Sequence, residues 1–192
     1  MEGLNLPDER RSATSCRERT TVTECQFVSD AIRLRDAFTQ SMRRLATTVT
    51  IITTGDRENP LGMTATAVSS LSADPPSILA CVNRSASIRD ALPLGARFCI
   101  NLLAESHHDL PLIFGGKTPP EKRFDSGNWG YDEAPYLTDA QANLLCVVDK
   151  LIDYTSHTIV IGKIAGVRLT DEARPLIFGN GRFIRAIADA AA

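Results

Sequence analysis

No stretch of this 192-residue chain approaches the roughly 20 apolar residues that a membrane-spanning helix needs, so an integral membrane protein is not expected. Charge of one sign is also missing. Lysine and arginine number 21 against 23 acidic residues, for a net charge of -2, and a phosphate-binding face needs a clustered basic excess. No nucleic-acid or anionic-membrane partner is therefore expected. The opening MEGLNLPDERRSATSCRERTT alternates acidic and basic residues and has no apolar core, which argues against a secretory signal. Cysteine is sparse. Cys16, Cys25, Cys81, Cys99 and Cys146 are odd in number and none forms a C-x-x-C pair. The last three lie in apolar, β-like runs. Reduced thiols in a cytoplasmic protein are expected, and neither a disulfide framework nor a zinc site.

Several familiar catalytic signatures are absent as well. No G-x-G-x-x-G follows a strand, so a nicotinamide cofactor would not sit on a dinucleotide-binding fold. G-x-S-x-G and H-E-x-x-H do not occur. Gly115-Gly116-Lys117-Thr118 ends like a P-loop, but position 111 is proline rather than glycine, and Pro119-Pro120 would block the helix such a loop opens. His107 and His108 are adjacent, so on a helix they point about 100° apart and do not share a metal; they are expected at the surface near a helix start. With no hydrolase or metal constellation, the chemistry has to come from a bound organic cofactor.

What is present reads mainly as β structure. Residues 1–28 carry mixed charge and are expected to form a flexible N-terminal arm, with one domain over 29–192. Ser29 and Asp30 look like caps for an amphipathic helix over 31–46, where Ile32, Leu34, Phe38, Met42 and Leu45 recur near helical spacing. TTVTIITT, residues 47–54, is nearly all β-branched and predicts a strand. GMTATAVSSLS predicts a second extended segment, SILACV a short buried strand, residues 88–92 a short helix, and FCINLL another strand. Residues 105–114 read as a helix. GGKTPPEKRFDSGNWGYDEAPY is full of turn formers and reads as a long surface loop. Strands follow over 143–149 and 158–169, and Asn180-Gly181 marks a tight hairpin. Six or seven strands with only short helices predict a Greek-key-like antiparallel barrel rather than a βαβ array.

One segment has the composition of a site. Between Gly62 and Ser87 lie Thr64, Thr66, Ser69, Ser70, Ser72, Ser77, Asn83, Ser85 and Ser87, a density of hydroxyl and amide groups that core packing does not require. Ala65 and Ala67 are small enough to let a flat ring approach the backbone. At Asn83-Arg84-Ser85-Ala86-Ser87 a strand gives way to a helix, which would gather hydroxyls, a guanidinium and helix N–H groups suited to a phosphate. The plainer reading stays open: Ser85 or Ser87 caps the helix and Arg84 is solvated.

The run FTQSMRRLATTVTIITTGDRENPLGMTATAVSSLSADPPSILACVNRSASIRDAL resembles the flavin reductase family of the split-barrel FMN-binding superfamily, the small reductase components of two-component flavin monooxygenases. The similarity continues through FCINLLAE, Lys122-Arg123-Phe124, SHTIVIGKI and the final PLIF-x-x-GRF hairpin, covering roughly residues 31–184. It implies a split β-barrel that binds FMN, with FAD as the other option, and takes hydride from NADH or NADPH. Thr64, Ala65, Thr66, Ala67, Val68, Ser69 and Ser70 would line the isoalloxazine and ribityl chain, with Ser72 near the same strand crossing. Asn83, Arg84, Ser85 and Ser87 would hold the phosphate, and Arg123 and Phe124 would approach from the long loop. His157 would face the nicotinamide as the catalytic residue, although Thr155-Ser156 replace the family's Gly-Asp before it. A glycine of the family's first strand is also replaced, by the Thr47-Thr48 region. The resemblance further implies a homodimer and a partner monooxygenase that receives reduced flavin. Three other readings fit the same blocks: a flavin-retaining oxidase, a non-catalytic flavin-binding or storage module, and a degenerate barrel used only for interaction.

Overall fold

The computed structural model describes residues 27–186, so the expected arm lies, except for its last two residues, outside the described part of the chain. The chain divides into two units, one ending at Ala37 and one running from Phe38 onward. Helix α1 (Ala31–Met42) crosses that division. Its N-terminus is capped as Asp30 promised, with the Asp30 carboxylate accepting the Arg33 backbone N–H at 3.0 Å. The helix is shorter than the apolar spacing suggested: after Met42 the chain tightens into i→i−3 turns at Arg44 and Leu45.

Beyond the helix the regular structure is mainly antiparallel strand. In order these are β1 (Thr47–Thr48), β2 (Thr50–Thr54), β3 (Leu61–Ala65), β4 (Val68–Ala73), β5 (Pro76–Asn83), β6 (Arg97–Leu102), β7 (Trp129–Tyr131), β8 (Pro135–Leu137), β9 (Ala142–Tyr154), β10 (His157–Leu169), β11 (Ile177–Gly179) and β12 (Arg182–Ile184). Seven of them form one sheet in the order β3-β2-β6-β9-β10-β5-β4. β1, β11 and β12 form a second sheet, and β7 and β8 pair by themselves. The β11–β12 turn is the expected one. Asn180 and Gly181 have φ of 51° and 77°, the left-handed pair a two-residue hairpin requires.

The large sheet ends on β3 and β4, strands consecutive in sequence but at opposite edges. No ladder joins them; the chain itself does, through Thr66 and Ala67. The Thr50 hydroxyl donates to the Ala65 carbonyl at 2.7 Å, and the Cys81 N–H donates to the Ala67 carbonyl at 2.9 Å. Within two residues the backbone therefore leaves the β2 side and joins the β5 side. The sheet is therefore open in its hydrogen bonding, and its two edge strands are joined only through the chain.

Two apolar clusters follow from the alternation of side chains along the strands. One contains Ile52, Ala80, Val82, Ile88, Leu92, Phe98, Ile100, Val148 and Val160. The other, on the opposite face of β2, contains Val49, Ile51, Leu103, Phe114, Leu137 and Leu176. All five residues of β2 are buried, as its β-branched run requires of a strand covered on both faces. Its polar members are satisfied across the sheet. Asn101 is fully buried, donates to the Ile51 carbonyl (2.9 Å) and the Thr53 hydroxyl (3.1 Å), and accepts from the Leu137 N–H (2.8 Å) and the Asn143 amide (2.9 Å).

Three expectations need correction. The 105–114 helix is a 3-10 turn (Glu105–His107), a single α-turn α2 (Leu110–Leu112) and a π-turn (Ile113–Lys117), broken where Pro111 and the two glycines interrupt regular helix. The 115–136 segment is not simply a surface loop. It carries a 3-10 turn (Pro120–Asp125) and the β7–β8 hairpin, and the rings of Phe124 and Trp129 pack at a tilt, 4.8 Å between centroids, against the second cluster. Finally, His107 is buried. Its Nδ1 accepts the Ala104 N–H at 3.1 Å, so the neutral ring carries its proton on Nε2, 3.3 Å from the Asp139 carboxylate. His108 is exposed.

The three described cysteines are free, and Cys16 and Cys25 lie outside the described residues. Burial pushes both Cys99 and Cys146 up to about 12 from an ordinary value of 9.0. At pH 8 about one thiol in 10⁴ would be ionised, so neither is a nucleophile in the native chain. Iodoacetamide at pH 8 should leave Cys99 and Cys146 unmodified until denaturant is added, as read by peptide mass spectrometry. The sign for stability follows. A thiol whose native value is raised favours folding below 9.0, and that contribution is lost as the pH climbs past it. Urea midpoints should therefore fall between pH 8 and pH 11.

Candidate functional site

A cleft of about 380 Å³ opens where the end of β5 meets the outer face of β3 and the segment after α2. Its lining includes Thr64, Asn83, Ser85, Ser87 and Arg123, five of the residues singled out in the sequence, together with Phe114, Gly115 and Gly116. Each wall is held by a specific bond. Thr64 donates its hydroxyl to the Pro111 carbonyl at 2.9 Å, fixing β3 to α2. The Asn83 side-chain oxygen accepts both the Ser85 N–H (3.0 Å) and the Ser85 hydroxyl (2.9 Å), which turns the chain sharply at the strand end. Ser85 and Ser87 are left exposed on that turn.

Arg123 is the electrostatic feature of the cleft. It is only 7% exposed, and its guanidinium donates to two backbone carbonyls, Thr118 at 3.0 Å and Gly62 at 2.9 Å. No carboxylate among the described residues forms an ion pair with it. A buried cation satisfied only by carbonyl dipoles is an unusual choice for packing and favours an incoming anion. Gly115 and Gly116 line the same cleft, and a Cβ on either would meet nothing within 4 Å, so their backbone is open to whatever enters. Hydroxyls, a buried guanidinium and open backbone suit a phosphate ester.

The remaining predicted residues lie elsewhere. Thr66 and Ala67 line a mainly apolar hollow of about 520 Å³ with Phe38, Met42, Leu45 and Phe178. Thr66, Val68, Ser69 and Ser70 border another, of about 280 Å³, with Thr47, Thr48 and Thr50. Ala65 is buried and faces the first cluster. Ser72 donates to the Asp74 carbonyl at 2.9 Å and shapes the β4–β5 turn. Arg84 is not in the cleft lining: its N–H donates to the Ser156 carbonyl at 3.0 Å and its guanidinium to the Thr155 carbonyl at 3.4 Å. Phe124 stands one layer behind the cleft, edge-on to Phe114 at 5.2 Å. His157 is exposed, 2.9 Å from the Ser156 hydroxyl through Nδ1, and is the register partner of Asn83 across β5 and β10. Directly opposed residues share a sheet face, so His157 stands beside the cleft.

Sequence reasoning missed Gly115 and Gly116, because the pair was tested only against the P-loop pattern. Adjacent glycines before Thr-Pro-Pro were the available signal. Gly62 was missed too. A Cβ there would lie 2.7 Å from the Phe114 ring and 3.3 Å from that of Phe124.

The fold is thus of an antiparallel, mainly β class, with a polar, cationic cleft at its strand ends whose chemistry suits a phosphorylated ligand. Comparison with known proteins narrows this. Residues 42–186 match the flavin reductase like domain, and the chain belongs to that family. It is 36% identical over 151 residues to an FMN reductase (NADH), RutF, of Pantoea ananatis, covering 78% of this chain and 80% of that one. It is also 36% identical over 154 residues to the reductase component of an FADH(2)-dependent resorcinol hydroxylase of a Rhizobium species, covering 78% and 86%. The fold superposes on an NADH:FAD oxidoreductase of Streptomyces globisporus, solved with NAD and FAD fragments, with a TM-score of 0.77 and 27% identity over 87% of this chain and all of that one.

Gly62→Ala should displace the Phe114 and Phe124 rings that back the cleft. Unfolding in urea should show a loss of about 1–3 kcal/mol, the usual cost of overpacking a tight contact.

Proposed function

We propose that this chain is an NAD(P)H-dependent flavin reductase that passes hydride from a nicotinamide to FMN, or FAD, and supplies the reduced flavin to a partner monooxygenase. The observation that carries the reading is the buried, carboxylate-free Arg123 in a cleft edged by Ser85 and Ser87, within a chain of the flavin reductase family. Two relatives are named as an NADH-dependent FMN reductase and as the reductase component of a hydroxylase, which supports NADH as donor and an oxygenase as recipient.

In this reading Arg123, Ser85 and Ser87 bind the flavin phosphate, and Asn83 holds the turn that presents the two serines. Thr66 to Ser70 offer small side chains and backbone along the barrel split for the ring system. A bound flavin supplies the hydride acceptor at its N5, and the nicotinamide supplies the donor. His157 orients the nicotinamide at the cleft mouth, with its Nδ1 engaged by Ser156 and its Nε2 left to meet the ligand. No covalent attachment is needed, and noncovalent contacts let the product leave.

The apolar hollow formed by Phe38, Met42, Leu45 and Phe178 supports a homodimer, since Phe38 is 62% and Leu45 56% exposed. Free thiols support a cytoplasmic setting.

Anaerobic mixing of the protein with NADH and excess FMN should bleach the oxidised flavin catalytically. Tightly retained flavin that turns over only with an organic substrate would instead indicate an oxidase, and binding without turnover a storage module. Arg123→Met should weaken FMN about tenfold or more while leaving riboflavin, which has no phosphate, nearly unchanged in titration calorimetry. His157→Ala should raise the NADH KM or lower kcat about tenfold with the melting temperature unchanged; unaltered kinetics would remove His157 from the reaction.

A further inference from the structure

The turn from Asn83 to Ser87 lines the cleft, and the β9–β10 hairpin that carries His157 pairs with the strand leading into it. They are tied together by a side chain that belongs to neither segment and does not line the cleft. Arg89 begins the 3-10 turn Arg89–Ala91 that follows Ser87, and it is anchored there by the fully buried Ile88 and Leu92 on either side. Its Nε donates to the Thr158 hydroxyl at 2.7 Å, and its Nη2 lies 3.5 Å from the Asp153 carboxylate. Thr158 in turn donates to the same Asp153 oxygen at 2.5 Å. Thr158 is fully buried, follows His157 directly, and pairs in register with Asp153 on β9 and Val82 on β5. At the other end of the turn, Arg84 donates its N–H to Ser156. Backbone holds one end of the turn to the hairpin, and the Arg89–Thr158–Asp153 cluster holds the other.

We propose that Arg89 is a positioning residue of this site: through the buried Thr158 hydroxyl it locks the serine turn that meets the phosphate to the hairpin that carries His157. The inference rests on the flavin reductase reading. The bidentate reach of a guanidinium is what the arrangement needs, one nitrogen for a buried hydroxyl and another for an outer carboxylate, and lysine cannot supply both. The Thr158 hydroxyl above all, with Arg89 and Arg84, holds the Asp153 carboxyl below the usual carboxylate range, so the cluster stays charged at any pH used for assay. Arg89 does not line the cleft, which favours an effect on ligand that passes through what it holds.

The test uses the full chain with Arg89→Gln, Thr158→Val, Thr158→Ser and the Arg89→Gln/Thr158→Val double variant. FMN and riboflavin dissociation constants, NADH KM and kcat, and hydrogen exchange of residues 83–88 and 154–158 are measured. Arg89→Gln and Thr158→Val should each weaken FMN and lower kcat about tenfold, the double variant should be no worse than either, and Thr158→Ser should restore wild-type values because the hydroxyl returns. Exchange should rise in both segments together. If Arg89→Gln weakens FMN but Thr158→Val does not, Arg89 meets the phosphate directly and the proposal is overturned. Additive effects, or two variants with wild-type binding and kcat, overturn it as well. A wild-type chain that neither binds FMN nor oxidises NADH overturns the reductase reading and this inference with it, whereas an active wild type with unaffected variants overturns the inference alone.

Discussion

The two-residue passage at Thr66 and Ala67 has to satisfy sheet edges on both sides at once. Ala65 is bonded to Thr50 of β2, and Ala67 to Cys81 of β5, so a single intervening residue, Thr66, separates a backbone committed to one side from a backbone committed to the other. The passage brings β3 and β5 to flank a common space, and Ile52 of β2 and Val82 of β5 belong to one apolar cluster. Everything placed at the open end of that space depends on the same passage. Thr64 on β3 and Asn83 at the end of β5 reach one cleft only because the edges that carry them are brought together.

The cleft's polarity makes sense against this frame. A split barrel leaves strand ends with backbone and short polar side chains facing outward, which water can satisfy. Arg123 departs from that economy. Its two carbonyl partners, on Gly62 and Thr118, lie on β3 and on the approach to its own turn, so the guanidinium fastens the long segment across the barrel's outer face. The same bonds leave its charge without a counterion in a site screened from solvent. Structural fastening and anion recognition are then two uses of one group. That is why discrimination between a phosphorylated flavin and riboflavin says more about Arg123 than activity alone.

How much of this was legible in the sequence varies with the physics involved. The β-branched 47–54 run, the SILACV strand and the Asn180-Gly181 turn are local signals, and they hold because the residues concerned have few other conformations open to them. The family resemblance carried the fold further than periodicity could. The segment 105–136 was misread because its turn formers do not reveal that Phe114, Phe124 and Trp129 pack together; composition reports the turns and is blind to the contact between them. Within the site, the hydroxyl-rich block was seen as one surface. In the structure it is divided by strand alternation and by the barrel split: Thr64 faces the cleft, Ala65 the interior, and Thr66 to Ser70 the hollows beyond.

Arg84 and Arg89 illustrate the limit most clearly. Both are arginines of the NRSASIRDAL segment, and proximity to the serines drew attention to Arg84. Register decides otherwise. Arg84 follows the last paired residue of β5 and is drawn back to the hairpin carbonyls, while Arg89 sits one short helical turn later, where Ile88 and Leu92 pin its backbone. A guanidinium in that position can span from one strand to the next, and Thr158 supplies a buried acceptor that only the β5–β10 pairing brings within 2.7 Å. Residues 69 positions apart in sequence thereby become one element of the site. A single sequence lists both residues but does not pair them, because the pairing is a property of the sheet.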